Sequence, residues 1–183
     1  DIRLRRESFR CLSSCIRSLS KDLREKSVEG KTLQYIYRAA MSYRLDTWIQ
    51  IDALYLLESL SLDSLVNTIV KRLSAIKKND DVFVLRNVAK LLGRNVDREK
   101  SLRTHLALLQ IDPSIYVRQG LVEAMYYMPH EVRRDPLRDF SIKDKSEQVR
   151  AQAMIVLVRL CPKPDMYSYI DELMSYILKN SSF

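Results

Sequence analysis

Few residues in this chain could move a proton, hold a metal or attack a substrate, and they are scattered. His105 and His130 are the only histidines. Neither belongs to a His-Glu-x-x-His stretch, the spacing that puts two imidazoles on one helix face around zinc. Cys11 and Cys15 stand one turn apart on the same side of a helix, with Cys161 far away. Two thiolates complete a zinc site only when two further ligands converge on them, so the pair is read as packing. Carboxylates are plentiful, among them Asp171-Glu172, Asp135 with Asp139, and Asp80-Asp81. Their places at helix starts and on polar faces assign them to capping and solvation. The 3 glycines are unclustered, which removes a phosphate-cradling loop. The chain is therefore read as a non-enzyme, with no catalytic residue, metal or cofactor assigned.

Charge offers a second chemistry. The formal net charge is +8, and the excess is concentrated in residues 71–110, with ten basic against four acidic residues. Lys71, Arg72, Lys77, Lys78, Lys90, Arg94, Arg98, Lys100 and Arg103 are the candidate polyanion-binding set. Converging across a groove, they would follow phosphates without reading bases. Arg133-Arg134 would extend the patch from the same side. The structural alternative is plain: Lys71-Arg72 and Lys77-Lys78 close a helix, where cations complement its dipole. The 10 tyrosines offer a third chemistry, since a rigid amphipathic ring makes protein contact at low entropy cost. Tyr126 and Tyr127 are the candidate protein-interface residues. Neighbours on a helix diverge by about 100 degrees, so only one of them is expected to face a given partner.

These residues need elements to position them, and the elements read as helices. Hydrophobic residues make up 46% of the 183, enough for a substantial core, while turn formers are too rare for a sheet protein of this size. No apolar run approaches the length of a membrane span. Three segments repeat one pattern: Asp80-Asp81-Val82-Phe83-Val84-Leu85-Arg86, Asp112-Pro113-Ser114-Ile115-Tyr116-Val117-Arg118 and Asp144-Lys145-Ser146-Glu147-Gln148-Val149-Arg150. Successive copies are offset by 32 residues, and agreement continues at Ala89, Leu121 and Ala153 and at Leu92-Gly93, Ala124-Met125 and Val156-Leu157. Within a copy the apolar residues recur at helical spacing, as in Val149, Ala153, Val156, Leu157 and Leu160. Asp112-Pro113 is a strong helix start, and Asp144 with Glu147 has capping-box spacing. Partner helices are expected near 98–110, 135–142 and 166–179. Upstream, Asp46 opens a helix ending near Leu60, residues 62–77 form its partner, and Gly30 separates helices near 3–25 and 32–43. Gly120 is expected to permit a close helix crossing, and Gly93 to end a helix.

The paired helices, the turn aspartate and the following aliphatic-arginine pair resemble a HEAT repeat, with the armadillo repeat as its near relative. The resemblance is clearest over residues 80–160 and weaker from residue 46 to the end. It implies an all-α, right-handed α-α superhelix, an α-solenoid of about four helix pairs plus a terminal helix. A single domain over 1–183 would contain clear units at 80–111, 112–143 and 144–179. It also implies a ladder between neighbouring repeats, with Asp80, Asp112 and Asp144 facing Arg86, Arg118 and Arg150. Such stacks expose a long surface that a partner segment can follow, so a protein-assembly scaffold is the leading expectation. Binding to a DNA or RNA backbone through residues 71–110 is the alternative. Some proteins of this architecture are DNA glycosylases with an aspartate and aromatic residues on a basic concave surface; Asp46, Trp48 and Asp52 are the only local group similar to that. The chain begins without methionine or a signal peptide's apolar stretch, and three cysteines are too few for a disulfide framework. It is accordingly read as part of a longer intracellular protein, with nucleus and cytoplasm not distinguished and the oligomeric state left open.

Overall fold

The computed structural model describes residues 1–18, 30–60, 62–74, 81–97 and 100–160, together with Tyr167, Ile170, Asp171, Met174 and Ser175. Among them are nine α-helices, one 3-10 helix and no strand. In chain order the helices are α1 (Ile2–Ser18), α2 (Gly30–Met41), α3 (Thr47–Leu60), α4 (Leu62–Ser74) and α5 (Val82–Asn95). A 3-10 helix (Lys100–His105) runs into the short α6 (Leu106–Gln110), followed by α7 (Ile115–Met125), α8 (His130–Lys143) and α9 (Glu147–Leu160). Asp80 and the helix expected near 166–179 lie outside the described residues, apart from isolated positions in the latter.

The helices sort into two rows by parity. α3 packs on α1 and α5, α5 on α7, and α7 on α9, while α2 packs on α4, and α4 on the 3-10 helix. Chain neighbours such as α2 and α3, or α8 and α9, join the rows. The apolar patterning explains why this buries a continuous core. α3 has Ile49, Ile51, Ala53, Leu54, Leu56, Leu57 and Leu60 buried around most of its circumference, as a helix with neighbours on several sides requires. Leu65 and Ile69 of α4, Leu91 and Leu92 of α5, Leu109 of α6 and Leu121 of α7 continue the same core. At the start of the stack, α1 buries only Phe9 and Ile16. Cys11 and Cys15, expected to pack, are exposed, on α1 positions away from its contact with α3 among the described residues.

Two boundaries differ from expectation. The partner of α7 starts at His130 rather than near Asp135, so Pro136 lies inside α8. Its first turn is held by the Pro129 carbonyl, which accepts from the amides of Val132 and Arg133 at 3.0 and 3.1 Å. The Arg133 guanidinium donates to the carbonyls of Met128 (2.7 Å) and Tyr126 (3.2 Å), closing the end of α7 instead of joining a basic patch. Gly93 does not end α5, which continues to Asn95. It is a contact glycine: a methyl group there would come within 2.3 Å of Ala124 Cβ on α7.

One buried side-chain rung joins α7 to the turn before α9. Arg118 is buried, and its Nε and Nη2 donate to the two carboxylate oxygens of Asp144 at 2.7 and 3.1 Å. Its Nη1 donates to the carbonyls of Asp112 (2.6 Å) and Pro113 (3.1 Å). Arg150 repeats the carbonyl contact one unit on, donating to Asp144 O at 2.6 Å. Arg86 departs from the pattern. Gly120 is pressed against its Cγ and carbonyl, and its guanidinium turns to the Glu123 carboxylate at 2.6 Å. The Asp112 carboxylate accepts the Ser114 amide, at 2.8 Å.

Candidate protein-docking face

The outer face of the odd-numbered row is organised by how its helices begin. Asp46 Oδ1 accepts the Trp48 amide at 3.0 Å, and Asp81 Oδ1 accepts the Phe83 amide at 2.8 Å. These aspartate turns satisfy amides that a helix start leaves without intrahelical partners. Thr47 also donates to Asp81 Oδ2, tying the start of α3 to the start of α5. Trp48, Phe83 and Tyr116 are the second residues of α3, α5 and α7, and the packing of those helices lines them up. The Trp48 and Phe83 rings are stacked with centroids 6.4 Å apart, and the Phe83 and Tyr116 rings are 5.8 Å apart. The Arg6 guanidinium lies over the Trp48 ring, 5.2 Å from its centroid. The three rings are 47%, 44% and 43% exposed, so the column is a surface feature and not part of the core.

A second line of contacts crosses the same face nearer the helix C-termini. Tyr55 donates to Asn87 Oδ1 at 2.8 Å. Arg94 lies over the rings of Tyr55 (5.8 Å) and Tyr127 (5.3 Å), with Glu58 Oε2 3.5 Å from its Nη1. Glu123 receives both Arg86 and Lys90. Beyond them a cleft of about 520 Å³ opens between α5, α7 and α9, lined in part by Tyr127, Val156 and Arg159. Tyr126 and Tyr127 are both exposed and meet edge to face at 5.2 Å. The expectation that they diverge around a helix fails because α7 ends at Met125 and both lie in the following turn.

The candidate polyanion set is not brought together as one surface among the described residues. Arg72 is buried in the even row, donating to the Ala40 carbonyl through Nε (2.7 Å) and to Gln50 Oε1 (2.8 Å), which staples the end of α2 to α3. Lys71, exposed, donates to Tyr37 Oη at 2.9 Å in that row. Lys90 and Arg94 are on the odd row, engaged with Glu123 and Glu58. Arg103 is half-buried, its Nε enclosed with no hydrogen-bond partner among the described residues. Lys77, Lys78 and Arg98 lie outside the described residues, and of Lys100 only the backbone is described.

Asp52 supplies a feature that sequence alone understated. One helical turn beyond Trp48, it meets Arg6 Nε at 3.5 Å and Arg10 Nε at 3.9 Å, both from α1. Burial raises the Asp52 pKa more than the charges of Arg10 and Arg6 lower it, leaving the carboxyl above its ordinary range. A cleft of about 350 Å³ adjoins it, walled by Phe9, Ser13 and Tyr55. Asp46, grouped with Trp48 and Asp52 in the sequence, is occupied at the helix start. A carboxyl with a raised folded pKa favours the folded state most when protonated, and that contribution fades as pH rises through the folded value. Replacing Asp52 with asparagine is therefore expected to raise the melting temperature at neutral pH, measured by circular dichroism. A fall would show that the ion pair stabilises the α1–α3 contact.

Among the described residues no group of three or more His, Cys, Asp or Glu side chains is placed to hold a metal, and no helix is long and apolar enough to cross a membrane. Comparison of the chain with models of known protein families, with curated proteins and with solved structures finds no match.

Proposed function

We propose that this chain is a HEAT-like α-solenoid, a right-handed α-α superhelix whose two helix rows are the layers of the stack, and that it is a non-enzymatic scaffold for protein assembly. The partner is a protein segment lying along the odd-row face. The observation that supports this reading is the Trp48–Phe83–Tyr116 column: three large rings, from three successive odd-row helices, kept in contact and open to solvent. Scattered exposed apolar residues need no special account, but a continuous aromatic strip suits a partner's apolar side chains. The neighbouring charges are largely paired across helices, which suits a mixed protein surface better than a phosphate track. The exposed free thiols of Cys11 and Cys15 fit a reducing intracellular compartment.

The test is site-specific photo-crosslinking in cells of the source organism, with a photoreactive phenylalanine at position 83 or 116 and a control at Lys71 on the even row. A recurrent protein adduct is expected at 83 and 116 but not at 71. Phe83→Ala and Tyr116→Ala, assayed with the recovered partner, should each weaken binding by roughly 2 kcal/mol, about thirtyfold. Adducts to nucleic acid alone, or equal yield from both rows, would overturn the reading.

A second reading, nucleic-acid contact with a glycosylase-like reaction, draws on Asp52 standing between Arg6, Arg10 and Trp48 on the same face. Release of a damaged base from duplex DNA, abolished in Asp52→Asn, would favour it over the scaffold. No release at low salt would remove it.

A further inference from the structure

Resting on the scaffold reading, we infer that the cleft between α5, α7 and α9 is the specificity subsite of the docking face, and that it takes an acidic peptide segment. Its charged lining is three cations, Lys90, Arg94 and Arg159, against one carboxylate, Glu123. That carboxylate is already shared between Lys90 and Arg86. Arg159 is exposed and has no ion pair among the described residues. Arg94 packs on the Tyr55 and Tyr127 rings and pairs with Glu58 at 3.5 Å, so little of its side-chain freedom remains to be lost on binding. The cleft thus offers Arg94, already packed on two rings, and the exposed guanidinium of Arg159, above a floor that includes buried Val156 and Ala124. Guanidinium groups match carboxylates in a planar, two-bond geometry. The Tyr127 ring and Val156 give the intervening aliphatic side chains somewhere to lie.

Charge spacing favours a peptide over a polynucleotide. A nucleic-acid strand has a phosphate at every residue and would run onto Glu58 and Glu123 as it crossed the face. A peptide can put neutral residues opposite those carboxylates and its acids opposite Arg94 and Arg159. Such pairs at an interface fix register and raise the association rate, and they weaken with salt.

The probes are a fluorescein-labelled peptide of glutamate, leucine and alanine and its counterpart with lysine for glutamate, titrated with the whole chain by fluorescence anisotropy. The acidic peptide should bind in a salt-sensitive manner, and at least about tenfold more tightly than the lysine peptide. Arg159→Glu should abolish that preference while melting like the parent, since the side chain is exposed and has no ion pair among the described residues. Equal binding of the two peptides, no binding of either, or an Arg159→Glu variant that still prefers the acidic peptide would overturn the inference. So would a single-stranded oligonucleotide of matching charge that binds more tightly and loses that binding in Arg159→Glu. Crosslinking at positions 83 and 116 is read separately: if it persists while the acidic peptide fails, the scaffold stands and only the partner class is wrong. If it disappears, the scaffold reading itself has failed.

Discussion

Replacing Arg118 with alanine is expected to lower the unfolding free energy by about 3–5 kcal/mol, the range for removing one partner of a buried ion pair. The exposure of the two side chains is 3% for Arg118 and 5% for Asp144, so the substitution leaves a carboxylate in a site water barely reaches. Two carbonyls, of Asp112 and Pro113, lose a donor at the same time. The rung joins the start of α7 to the turn before α9, so its loss loosens the contact between successive odd-row helices. Urea denaturation at neutral pH measures the effect. A loss below about 1 kcal/mol would mean that the pair behaves as an exposed one.

The same rung sets an acid sensitivity. Burial pushes the Asp144 carboxyl up, but the Arg118 hydrogen bond, the Ser146 amide and the charges of Arg118 and Arg150 outweigh it, and the folded pKa falls below the ordinary range. A carboxyl depressed in this way contributes its full stability above the unfolded pKa of about 4 and loses it as pH falls through the lower folded value. Unfolding midpoints followed downward from about pH 5 should therefore drop faster in the parent than in Asp144→Asn, whose stability is already reduced at neutral pH. Identical slopes would remove Asp144 as the titrating group.

The second large effect is expected at Gly120. A methyl group there would lie 2.7 Å from the Arg86 carbonyl oxygen and 3.2 Å from its Cα. These are backbone atoms of a packed helix, and no side-chain rotation relieves the contact. Gly120→Ala should separate α5 from α7 and cost about 1–3 kcal/mol, more than the roughly 1 kcal/mol that alanine gains over glycine in a helix. Gly30→Ala is the control. With nothing within 4 Å of its added methyl group, it should leave stability unchanged or raise it. If thermal unfolding shows both alanine variants at or above the parent, the helices have room to spare at this crossing.

Much of the architecture was open to inspection in the amino-acid order. Helical periodicity is local, and aspartates at helix starts act within two residues, so the nine described helices and most of their boundaries could be anticipated from 183 letters. Contacts at nearly the 32-residue repeat length do occur, such as Tyr55 to Asn87 and Lys90 to Glu123. Two exceptions arose, one local and one from a distant helix. Pro136 lies within α8, whose first turn is held by Pro129, and Gly93 remains helical with Ala124 of α7 packed against it.

The candidate docking face was far less legible. Trp48, Phe83 and Tyr116 are 35 and 33 residues apart, close to the repeat length, and that spacing was the one signal that could have found the column. Charge counting named Arg72 as a surface cation, but only packing shows it enclosed by the Ala40 carbonyl and Gln50. Local order of residues determined which segments become helices and which side of each is apolar, because those depend on neighbours one turn away. Which polar and aromatic groups meet on the remaining side was decided by the lateral packing of helices distant in the chain, which places Arg6 on Trp48 and Arg94 on Tyr127. The repeat length gives the separation of such partners but not which side chains meet.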